Sequence, residues 1–81
     1  MHMTPVQVRA LVAHLLANIA PEADLSTVGE SEDLREALDL DSMDFLNLII
    51  GLSRESGVSI PEADYPRVFT LEGMATYLAN H

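Results

Sequence analysis

The segment "DLDSMDFLNLII", Asp39 to Ile50, sets three carboxylates (Asp39, Asp41, Asp44) around one hydroxyl, Ser42, and a dense apolar run follows at once. Such a group could hold calcium, act as a nucleophile, cap a helix, or take a covalent attachment. The calcium loop fails on spacing. Counted from Asp39, an EF-hand needs Gly at its sixth position and Glu at its twelfth, where this chain has Asp44 and Ile50. A nucleophilic serine needs a base, normally His, and a group to orient it. No His lies near Ser42 in sequence, and the G-x-S-x-G elbow is missing. The His residues at 2, 14 and 81 are scattered, without metal-ligand spacing. Two readings stay open: a cap formed by Asp41 or Ser42, with Asp44 complementing the helix dipole, and a point of attachment.

The elements around Ser42 are helical. Thr4 is an N-cap, Pro5 suits the first helical position, and Gln7 completes a capping box. Val8, Leu11, Val12, Leu15, Leu16 and Ile19 then form one stripe, with His14 on the opposite side, and Pro21 stops the helix. Residues 20–41 make a long connection. A short helix is expected within "SEDLREAL", capped by Ser31, with Leu34 and Leu38 pointing inward; Leu25, Val28 and Leu40 pin the loop. A second strong helix covers Ser42 to Glu55. Asp44, Asn47, Gly51, Arg54 and Glu55 share its polar arc. Met43, Phe45, Leu46, Leu48, Ile49, Ile50 and Leu52 fill well over half of the circumference. A surface helix needs an apolar stripe of only about 100° or slightly more, so part of this face should meet the core and part something else. Gly57 breaks the helix. An extended piece through Ile60 and Pro61, a brief turn at Glu62 to Tyr65 ending before Pro66, and a last helix from Thr70 complete the chain. Leu71, Met74, Ala75 and Leu78 bury that helix, with Tyr77 beside them and Gly73 weakening it slightly. The expected fold is all-α: a small bundle of three main helices, one or two short ones and a long first loop.

Composition limits the function. The 81 residues suit a single domain covering 1–81, with residues 1–3 as a tail or cloning remnant. There is no Cys, so the chain itself has no thiol to do chemistry. Thirteen acidic residues face four Arg and no Lys, a formal net charge of -9. That argues against nucleic acid and anionic membranes and for basic protein partners. No apolar run reaches the ~18 residues of a membrane span, so a soluble, cytoplasmic protein is expected. With 48% hydrophobic residues it is not a disordered acidic tail.

The stretch "LDLDSMDFLNLIIGLSRESGVSIPEAD" resembles the carrier-protein family: acyl carrier proteins and the related aminoacyl and peptidyl carriers. The family's D-S-L attachment motif corresponds to Asp41-Ser42-Met43, and its following "IP" and acidic residues to Ile60-Pro61-Glu62. Length, acidity, the capped first helix and the long first loop match as well. The resemblance implies that Ser42 carries 4′-phosphopantetheine, with Asp41 and Met43 beside it, transferred from coenzyme A by a Mg-dependent phosphopantetheinyl transferase. The arm's thiol would hold an acyl group as a thioester, in fatty acid or secondary-metabolite biosynthesis. The protein would be a monomer and no enzyme. Its partners would be that transferase, a loading ligase and downstream transferases, gripping Glu36, Asp39, Asp41, Met43 and Asp44. An aminoacyl or peptidyl carrier with a dedicated ligase is the alternative, and an acidic helical adaptor the remote one. The chain departs from fatty-acid-synthesis carriers at Asp39, where Gly is common, at Asn47 and Arg54, where acids are common, and at Ser56, where a large apolar residue is common. These departures point to a specialised pathway. Ser56 would shrink an acyl-sheltering cavity that Phe45 and Phe69 could refill.

Overall fold

Thr4 opens the first helix with both halves of the capping box. Its hydroxyl accepts from the Gln7 amide, and the Gln7 side chain accepts from the Thr4 amide. This helix, α1 (Pro5–Ile19), buries Val8, Val12 and Leu16 and leaves His14 exposed. The computed structural model describes residues 3–80, so Met1, His2 and His81 lie outside it. Met3, expected in a tail, instead packs half-buried against the core.

The long connection is ordered by polar ties as well as apolar pins. Leu25, Val28 and Leu40 are buried as expected. A 3-10 turn (Leu25–Thr27) follows its cap Asp24, and a four-residue helix, α2 (Leu34–Ala37), follows its cap Asp33. Ser31, the expected cap, is exposed and lies outside the helix. Asp33 directly precedes the first helical residue, so its Oδ1 can accept from the Arg35 amide at 2.9 Å. Arg9 of α1 reaches across to donate to the carbonyls of Leu25 (3.1 Å) and Val28 (3.0 Å). The far end is tied by Leu34 N–H to Phe69 O and Glu72 N–H to Glu30 O. These bonds satisfy loop backbone that would otherwise be costly to bury.

The second main helix, α3 (Ser42–Ser56), starts at its cap Asp41 and ends at Gly57, which takes a left-handed conformation (φ 73°). Ser53 and Ser56 are spent on that end: Ser53 Oγ donates to Val58 O at 2.7 Å, and Ser56 Oγ accepts from Val58 N. A second 3-10 helix (Glu62–Val68) runs through Pro66 rather than stopping before it. Proline's fixed φ is already helical, so only one donor is lost. The last helix, α4 (Leu71–Ala79), has its predicted cap at Thr70. Gly73 proves to be a close-approach position, since a Cβ there would collide with the Arg67 carbonyl oxygen.

α1 packs against both α3 and α4, and the second 3-10 helix packs on α4. The core is continuous across all of them, from Val8 to Leu78. Tyr77 is buried in it, and its hydroxyl donates to Asp64 Oδ2 at 2.7 Å. This bond pushes the Tyr77 phenol above its ordinary range, with desolvation adding to the effect. The all-α expectation holds: the described residues contain no strand. No helix among them is long and apolar enough to cross a membrane. The radius of gyration, 11.2 Å, is near the ~12 Å expected for a compact chain of this length.

Candidate functional site

The cap question at the start of α3 has a clear answer. Asp41 is the cap, its Oδ1 accepting from Asp44 N at 2.8 Å, and Ser42 is the first helical residue. Ser42 is therefore not spent on the helix. It is exposed, and its Oγ joins no hydrogen bond among the described residues. The first-turn amides around it have no intrahelical acceptor and carry the positive end of the helix dipole. A hydroxyl placed there can become a phosphate ester, and the helix end favours the resulting anion.

The approach to Ser42 is set by Asp39, whose φ is 53°, in the left-handed region. Non-glycine residues seldom adopt it, Asp and Asn being the exceptions. The chain turns here from α2 into the cap of α3. The departure from Gly noted in the sequence thus falls on a position whose backbone favours Gly, and Asp is one of the few residues that tolerate it.

α3 divides its wide apolar surface in two, as its circumference required. Phe45, Leu48, Ile49 and Leu52 are buried. On the other side, Met43 is 63% exposed and Ile50 45%. At about 100° per residue, Met43, Asn47, Ile50 and Arg54 fall within an arc of roughly 60°, directly opposite the buried stripe. The exposed face of α3 therefore carries two apolar side chains, Met43 and Ile50, set among the polar Asn47 and the cation Arg54.

Beside Ser42 lies a groove of about 820 Å³ between α2, the start of α3 and the second 3-10 helix. Phe45, Tyr65, Phe69, Leu40 and Leu46 form its apolar wall. Glu36, Asp39, Asp41, Ser42 and Glu62 form its polar rim, together with Arg35. The rings meet edge to face, Phe45 with Phe69 at 5.4 Å and with Tyr65 at 6.1 Å. Of the residues singled out from sequence, Ser42, Asp41, Asp39 and Glu36 gather at this groove. Met43 and Asp44 do not line it. Nor does Ser56, which is occupied at the end of α3, so the groove is shaped by Phe45 and Phe69 and not by that residue.

Sequence reasoning missed Arg35 and Tyr65, and it named Glu62 only as part of the Ile60-Pro61-Glu62 motif, not as part of the site. Arg35 is held by Asp33 through Nε (3.1 Å) and Nη2 (2.7 Å), and its Cζ sits 3.5 Å from the Phe69 ring centroid. The Arg35 hydrogen bond is the main cause that holds the Asp33 carboxyl below its usual range. The only local signal was Asp33 two residues before Arg35; the stacking partner is far along the chain. No group of His, Asp or Glu among the described residues could hold a metal ion.

The residues at this site suit a covalently attached phosphate ester with a tethered chain, and similarity to known proteins points to that same group. The family model described as "Phosphopantetheine attachment site" matches residues 6–78. The chain is 34% identical over 67 residues to "Polyketide-8 synthase acyl carrier protein 2" of Streptomyces avermitilis, covering 83% of this chain and 71% of that one. It is 33% identical over 58 residues to an "Acyl carrier protein" of Rubrobacter xylanophilus, covering 72% of each. A single family accounts for the all-helical fold and for these similarities: the chain belongs to the acyl carrier proteins, which carry covalently bound 4′-phosphopantetheine.

Proposed function

We propose that Ser42 is the attachment residue and that the protein carries acyl groups in a specialised biosynthetic pathway, presenting them to partner enzymes without catalysing a step itself. The observation that carries this reading is the unspent, exposed Oγ at the first position of α3, freed by Asp41 serving as the cap. In the loading step, Ser42 Oγ forms a bond to the phosphorus of coenzyme A that bears pantetheine. The P–O bond to the adenosine 3′,5′-bisphosphate half breaks, and the serine proton passes to a base of the transferase. The bound arm supplies the thiol that this Cys-free chain lacks, and so the thioester. Asp41 holds the helix start, the orphan amides face the new anion, and the groove offers the carried group shelter.

Docking is assigned to the face around Ser42. Asp39, Asp41 and Glu36 are exposed there, and Asp44 is half-buried in the first turn of α3. Basic enzymes would be steered to this end by charge and would seat on Met43 and Ile50. Met43 suits a surface that meets several partners, because its side chain adapts. Asn47 and Arg54 make the far half of α3 less acidic, which supports dedicated partners over those of housekeeping fatty-acid synthesis. The polyketide synthase name of one relative supports the same reading. A cytoplasmic setting, with coenzyme A at hand, belongs to it.

The reading is tested by incubating the protein with coenzyme A and a broad-specificity phosphopantetheinyl transferase and weighing it intact. The wild type should gain one phosphopantetheine, and Ser42→Ala none. An unmodified wild type, or a gain that survives the substitution, defeats it.

A further inference from the structure

Among the described residues Arg35 is the one cation lining the groove, and it is fixed there from several sides. Asp33 takes its Nε and Nη2, and Asp33 also caps the helix that bears it. The Phe69 ring lies under the guanidinium, and the Phe69 carbonyl accepts from the neighbouring Leu34 amide at 2.9 Å. Nη1 alone donates to nothing among the described residues. A planar donor edge is thus held ready beside the groove that opens at Ser42.

Resting on the carrier reading above, we infer that Arg35 determines cargo specificity. Its Nη1 edge donates to a neutral carbonyl oxygen of the carried group, so the groove favours short β-ketoacyl thioesters over saturated acyl chains. A saturated chain entering here would strip water from Nη1 and return no hydrogen bond, and a desolvated polar group without a partner is costly. A carboxylate-bearing acyl group would meet the rim carboxylates of Glu36, Asp39, Asp41 and Glu62. An α-ammonium would be drawn to those same rim carboxylates and away from Nη1, from which it cannot accept. A ketone suffers neither effect, and its planar π-system packs against Phe45 and Tyr65.

The test loads the protein from acetoacetyl-, butyryl- and glycyl-coenzyme A with a promiscuous transferase, alongside the cargo-free holo form. The Arg35 side-chain nitrogen resonances are followed by NMR. Thioester cleavage by hydroxylamine is timed against the same coenzyme A thioesters in free solution. Acetoacetyl cargo should shift the Arg35 resonances and be protected, and butyryl and glycyl cargo should do neither. Arg35→Met should lower acetoacetyl protection by about tenfold, the scale of one hydrogen bond to a charged donor, and leave the butyryl rate alone. A merely structural role for Arg35 would move both rates together, which overturns the inference. So do equal shifts with all three cargoes, or shifts already complete in the cargo-free holo form, which would assign Nη1 to the arm. If Arg35→Met fails to fold, the wild-type resonances decide alone. A protein that gains no mass at Ser42 defeats the carrier reading itself; a loaded protein with indifferent Arg35 resonances defeats only this inference.

Discussion

Asp39 shows how one residue reports on both backbone and ancestry. Its φ of 53° places it where an L side chain pays for its Cβ, a cost of roughly 1–2 kcal/mol for most residues and less for Asp. Asp39→Gly should therefore be neutral or stabilising by up to about 1 kcal/mol, measured by urea denaturation. Asp39→Val, β-branched in the same conformation, should be clearly destabilising. If the valine variant matched the wild type, the left-handed turn would not be a constraint at this site. Asp44 tests the docking role at the same scale. Asp44→Lys should slow loading by a basic partner enzyme while costing the fold only about 0.3–1 kcal/mol, the worth of a first-turn charge. Loading kinetics that ignore both this change and added salt would remove acidic docking.

The helices and their ends account for how much could be read before the structure was known. Capping residues and 3.6-residue periodicity are local, so α1, α3 and α4 were legible with their caps Thr4 and Thr70, and α3 with its surplus of apolar surface. The long connection was legible only in its apolar pins, Leu25, Val28 and Leu40. Its polar ties depend on partners far away in sequence: Arg9 reaching Leu25 and Val28, and Leu34 reaching Phe69. The same is true of the site. Ser42 and its acids sit in one short segment, but the groove needs Arg35, Tyr65 and Phe69 brought together by the fold. Gly73 was misjudged for that reason, since its neighbour is the Arg67 carbonyl rather than anything on its own helix. Gly73→Ala, a gain in helix propensity on paper, should destabilise by about 1–3 kcal/mol through overpacking, seen as a lower denaturation midpoint. A stabilised variant would show that α4 can shift away at no cost. The tie between α4 and the second 3-10 helix has a pH signature. The Tyr77 phenol, raised chiefly by its hydrogen bond to Asp64, contributes stability that is fully present below the unfolded phenol's pKa of 10.0. That contribution is lost as pH rises through the higher folded value. Tyr77→Phe should flatten the alkaline loss of melting temperature; an unchanged alkaline limb would remove Tyr77 as its source.

At the scale of the whole molecule, net charge and cofactor dependence fit one purpose. The chain has a net charge of -9 and no thiol. Among the described residues, three of its four Arg are occupied: Arg9 on loop carbonyls, Arg35 on Asp33 and Phe69, and Arg67 near the face of Tyr77. With little positive charge to offset them, its acids repel one another, and melting temperature should rise with added salt or divalent cation. A melting temperature indifferent to both would mean that self-repulsion is negligible. On the proposed reading, the same excess would steer basic enzymes to the molecule, and the exposed hydroxyl at the head of α3 would give them their place to work.

That place is the central claim, and serines elsewhere make it testable, since Ser26, Ser31 and Ser59 are also exposed. The most direct measurement is fragmentation mass spectrometry of the protein after transfer from coenzyme A, locating the adduct residue by residue. The account predicts a single phosphopantetheine on Ser42 and none on the other serines. An adduct on any other serine, or none at all, would contradict it.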